Sequence, residues 1–172
     1  MGPFGELLAA GHRQTLEFFV IGLRDVSEAN VDRDELLYNA SVLAHYAQVS
    51  RYADDDLPTP ADLGEVFDHF VYDNTLIRDA EMMETAGAQC LLLTGFFETQ
   101  MRRRYNMRWY IQMGATFYRR AAMHEPAAPK ARLLNTIGGH FEFWRERHAR
   151  LSRELGERSD LRLLQVPRKR NP

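Results

Sequence analysis

Cysteine, lysine and long oily runs are all scarce in this chain, and each scarcity closes off a class of protein. There is one cysteine, Cys90, so no intrachain disulfide can staple the fold, and the reading is a reducing, cytoplasmic location. The longest strongly apolar charge-free stretch, residues 85–97 (TAGAQCLLLTGFF), is 13 residues long. A membrane span needs about 18. The start, MGPFGELLAAGH, carries an acid where a secretory signal wants basic residues and has no apolar core, so neither export nor a membrane partner is expected. Lysine occurs twice against twenty arginines, which favours fixed, forked ion pairs over loose ones. No repeat of solenoid length and no low-complexity segment is present.

What is present is ample core material: 172 residues, 45% of them apolar. That is enough for one self-sufficient domain. Apolar side chains recur at helical rather than alternating spacing, which predicts an all-α fold. The expectation is a single-domain bundle of five to seven helices over residues 1–165, with a basic, disordered tail at 166–172. Residues 74–101 form its buried central helix, because Leu91, Leu92 and Leu93 occupy three sides of one helix and leave none suited to water. On that reading Leu92→Ala costs about 2 to 5 kcal/mol.

Around it the spacing predicts helices over 4–23, 34–52, 62–72, 109–123 and 129–155, and a polar link over 24–33. In the first, Leu7, Gly11, Phe18, Ile21 and Gly22 lie on one side with Leu16, Val20 and Leu23 opposite, so a largely buried helix is expected. The 34–52 helix carries a core stripe of Leu36, Leu37, Ala40, Leu43, Ala44 and Ala47. A second stripe, Tyr38, Val42, His45, Val49 and Tyr52, lies opposite. In 109–123 the inward set is Tyr110, Met113, Gly114, Phe117 and Ala121. The last helix repeats Leu134, Ile137, Phe141, Trp144, His148, Leu151 and Leu155 at alternating steps of three and four, a heptad seam flanked by Arg145, Arg147, Arg150 and Arg153.

Charge is segregated. Residues 1–100 hold 5 Arg against 18 acids, a balance of −13; residues 101–172 hold 17 basic residues against 6 acids, a balance of +11. Either acidic and basic helices complement one another, or the basic half recruits an anionic partner.

Chemistry is thinly represented. Glu65, Asp68, His69, Asp73, Asp79, Glu81 and Glu84 are metal-ligand types, yet the first three point away from their helix's apolar stripe, and the Glu-x-x-His pairs of di-iron bundles are missing. Asp54-Asp55-Asp56 reads as a solvated loop. No two of His12, His45, His69, His124, His140 and His148 stand four apart to chelate from one helix. Cys90, amid apolar neighbours, reads as inert. No catalytic residue, metal or cofactor is therefore assigned.

The functional reading is a non-catalytic, regulatory protein-interaction module that forms a homodimer through surplus apolar faces: Tyr38, Val42, His45, Val49 and Tyr52 on one helix, Phe141, Trp144, His148 and Leu151 on another. One alternative is nucleic-acid binding by Arg102, Arg103, Arg104, Arg108, Arg119 and Arg120, interleaved with Tyr105, Trp109 and Tyr118 as stacking groups. Another is a metal- or cofactor-binding helical enzyme.

Overall fold

The computed structural model describes residues 13–28, 30–52, 79–103 and 106–157, with residues 48–52 and 157 for their backbone alone. All regular structure among these is helical. Seven helices follow in order: α1 Arg13–Ser27, α2 Arg33–Tyr52, α3 Ala80–Thr94, α4 Glu98–Arg102, α5 Met107–His124, α6 Ala128–Gly139 and α7 Phe141–Glu157. The chain divides into two compact units, Met1–Leu57 with Arg153–Pro172, and Pro58–Ser152. The helix expected over 62–72, the acids at 54–73 and the tail at 166–172 lie outside the described residues.

In the first unit α1 packs on α2. Phe19, Leu23 and Val26 of α1 are buried, as are Leu36, Ala40, Leu43, Ala44 and Ala47 of α2. The spacing of α2 thus predicts its core side except at Leu37, which is 37% exposed. For α1 the expected burial holds at Leu23 and in part at Leu16 and Val20, and fails on the other side. Phe18 and Ile21 point outward, because the hairpin with α2 selects the neighbouring row for burial, and the helix runs on through part of the expected link to Ser27. It stops at Glu28, whose φ of 52° is the left-handed turn that closes many helix C-termini.

The second unit is built on α3, which packs against α5, and α6 packs on α5 in turn. Asp79 caps α3: its Oδ1 accepts from the Glu81 and Met82 amides at 3.0 and 3.2 Å. Met83, Ala86, Cys90, Leu91 and Leu93 are buried, whereas Leu92 is only half-buried. The central helix is also shorter than expected. It ends at Thr94, and a turn over 95–97 redirects the chain into α4.

Gly95 explains where. A Cβ there would sit 2.7 Å from the His148 Cβ and 2.8 Å from the Leu91 carbonyl, so the turn can meet α7 only without a side chain. Gly114 does the same for α5: a Cβ would land on the Phe141 ring and 2.6 Å from the Cys90 Cβ.

The long last helix is in fact two. His140 interrupts it at φ −103°, ψ 21°, its amide donating to the Thr136 carbonyl at 2.9 Å. Two consecutive glycines, Gly138 and Gly139, weaken the helix there. Every residue of the heptad row, from Leu134 to Leu155, is nevertheless buried within the chain.

Candidate functional site

Of the predicted interface residues, Phe141, Trp144, His148 and Leu151 are 0 to 2% exposed. The α7 seam is therefore interior packing and offers no face to a second molecule. On α2, Tyr38 and Val42 are half-buried and His45 is exposed, while the Val49 and Tyr52 side chains lie outside the described residues. The exposed large apolar groups are instead Phe18 at 42% and Ile21 at 49% on α1, Leu37 on α2, Met82 on α3, and Trp109 and Met123 on α5, none of them assigned to the expected interface.

The arginines separate into places. Arg104 lies outside the described residues; Arg103 is exposed at the end of α4; Arg119 and Arg120 project from the second half of α5. Arg102 and Arg108 meet in a cleft of about 470 Å³, lined also by Met107, Ile111, Gln112, Glu142 and Arg145. The α5 N-terminus forms one wall, fixed by Asn106, whose side-chain oxygen accepts from the Trp109 amide at 3.3 Å.

Arg145 is the residue that sequence reasoning undervalued. It flanks the seam in one dimension, but i+4 from Phe141 and i−3 from His148 places it nearly on the buried side, and it is 7% exposed. Its guanidinium is tied on every edge. Nη1 donates to the Thr94 carbonyl at 3.1 Å and lies 3.6 Å from Glu98 Oε2; Nε and Nη2 both reach Glu142 Oε1 at 3.1 Å. Glu98 also holds Arg102 at 2.5 Å. Arg145 thus joins the end of α3, the start of α4 and the first turn of α7, and a buried charge is tolerable only with such partners. Arg108 makes no ion pair among the described residues.

Charge segregation is partly absorbed here: Glu98 to Arg145, and Glu84 to Lys130 at 3.1 Å, both join the acidic half of the sequence to the basic half. The hydrogen bond to Glu84 raises the Lys130 pKa. Burial pushes the Cys90 thiol well up, which keeps it a protonated, unreactive core group. Burial also lowers His148 from 6.5 to about 3, so it is neutral at physiological pH.

Asp79, Glu81 and Glu84, the predicted ligand types that are described, serve as a cap, an exposed side chain and an ion-pair partner. Among the described residues no group of three or more His, Cys, Asp or Glu could hold a metal ion, and no helix is long and apolar enough to cross a membrane. Comparison with protein-family models, with characterised proteins and with solved structures finds no match.

Proposed function

We propose that the protein is a non-catalytic interaction module that self-associates through the outer side of its first two helices. The carrying observation is the exposure of Phe18 and Ile21, one turn apart on α1, together with Leu37 on α2. Water disfavours such side chains, and covering the exposed half of each adds about 0.7 to 1.5 kcal/mol. The proposed site differs from the seam on α7 because those residues are already packed within the chain. A fully buried, protonated Cys90 suits a cytoplasmic setting, since nothing about it requires an oxidising compartment.

Sedimentation of the full chain decides this reading. A species heavier than the 20.0 kDa monomer is expected at tens of micromolar, and a monomer at every concentration removes the proposal.

The cleft supports a second reading, capture of an anionic polymer such as a nucleic acid. Arg108 and Arg102 line it, and Arg103 stands exposed beside it. Retention on heparin that collapses as salt rises is the expected sign. No retention at low salt dismisses it.

A further inference from the structure

The outward row of α1 reads, from its N-terminal end, Arg13, Glu17, Ile21, Arg24 and then Glu28. At about 100° per residue the four helical positions, Arg13 to Arg24, lie within roughly 80° of arc, so they form one stripe along the helix, and Glu28 follows in the turn that ends it. All five are exposed. Among the described residues Arg13, Glu17 and Arg24 make no ion pair. Over the inner positions, Glu17, Ile21 and Arg24, the order of signs is minus, apolar, plus. Run antiparallel to itself, that order becomes plus, apolar, minus, and Glu17 and Arg24 each meet their opposite.

From this stripe we infer that α1 is an antiparallel, two-fold docking surface for the α1 of a second copy of this chain. The axis passes beside Ile21, bringing Glu17 opposite the second copy's Arg24 and Arg24 opposite its Glu17. Glu28, past the helix end and engaged within its own chain, stands outside this pairing, and the inner set carries the register. Ile21 lies near the centre of the contact and Phe18 beside it, so the apolar groups are shielded while the charges stay on the rim. A two-fold interface requires this self-complementarity, because the same patch appears on both sides. A parallel arrangement in register sets Glu17 against Glu17 and Arg24 against Arg24, which like-charge repulsion opposes.

The inference rests on the self-association proposed above and adds its surface, direction and register. Fifteen helical residues span about 22 Å. A contact confined to one helix of that length falls among the small interfaces of transient complexes, so weak, reversible association is expected.

The test exploits the two-fold. In the Glu17→Arg homodimer Arg faces Arg24, and in the Arg24→Glu homodimer Glu faces Glu17, so each is repulsive. Mixed together, the two variants are complementary at both contacts, and so is the double variant E17R/R24E with itself. Sedimentation at about 100 μM, with circular dichroism to establish that each variant is folded, should show dimers for the wild type and the double variant. Each single variant should bind itself at least about tenfold more weakly, and their equimolar mixture should recover the wild-type dimer.

Single variants that dimerise as well as the wild type overturn this surface while leaving self-association elsewhere intact. A mixture that stays monomeric although both variants are folded overturns the antiparallel register. A monomeric wild type overturns both the surface and the reading beneath it, as when residues of the same chain cover this face.

Discussion

His148 and Arg145 are three residues apart on α7 and illustrate the two ways a titratable group can be buried, one neutral and one paired. For His148 the folded pKa of about 3 lies below the unfolded value of 6.5. Above pH 6.5 both states are neutral and the group is silent; below it the unfolded chain takes up a proton that the folded chain refuses. Stability should therefore fall with acidification from pH 6.5 towards 3, by about 1.4 kcal/mol per pH unit from this group alone. His148→Gln should flatten the pH dependence of the urea midpoint by that amount, and an unchanged slope between pH 6 and 4 counts against a neutral, buried imidazole. Arg145 behaves oppositely. Arg145→Ala leaves the Thr94 carbonyl without its donor and Glu98 with Arg102 alone, costing about 1 to 3 kcal/mol. Arg145→Lys should recover little of it, because an ammonium cannot reproduce the fork that spans Glu142, Thr94 and Glu98; denaturant melts of the two variants check both statements. In the α3 leucines, Leu91→Ala should cost more than Leu92→Ala, since the first is 0% exposed and the second half-buried.

At the scale of the element, helix type and the main core rows were legible in the sequence. The 3.6-residue spacing of Leu36, Ala40, Leu43, Ala44 and Ala47, and of Tyr110, Gly114, Phe117 and Ala121, predicts their burial, and the structure bears it out. Helix ends were less legible, because they depend on what the helix meets. A periodic row carries straight through Gly95 and through residues 138–140, yet the chain turns at both. At Gly95 the reason is the approach of α7; at His140 the glycine pair makes a helix interruption cheap. Caps are local and can be tested alone: Asp79→Ala should lower stability by about 1 kcal/mol through the loss of the acceptor for two backbone amides, measured by thermal unfolding. For α1 a helix was foreseen but its orientation was not, since Phe, Ile and Val stand on more than one side and only the pairing with α2 selects Phe19, Leu23 and Val26 for the interior.

For the whole molecule, surplus apolar surface and divided charge were the two features that pointed to a partner. Folding consumes part of each: the heptad row becomes interior, and Arg145 and Lys130 draw acids from the other half of the sequence. What remains exposed among the described residues includes Phe18 and Ile21 on α1, Leu37 on α2, Met82 on α3, Trp109 and Met123 at the two ends of α5, and the arginines of the α4 to α5 cleft. Replacing both Phe18 and Ile21 by Asp should abolish dimers in sedimentation at micromolar concentration without lowering the melting temperature, because neither side chain is in the core.

Composition and periodicity by themselves determined that this chain is helical, which residues supply much of its core, and that its cysteine is a core group, since these follow from short-range spacing and burial preference. The tertiary structure alone decided which apolar rows remain outside and which arginine is drawn in. Those outcomes depend on how closely one helix approaches another, at Gly95, Gly114 and the α1 to α2 contact, and a one-dimensional pattern carries no such distances.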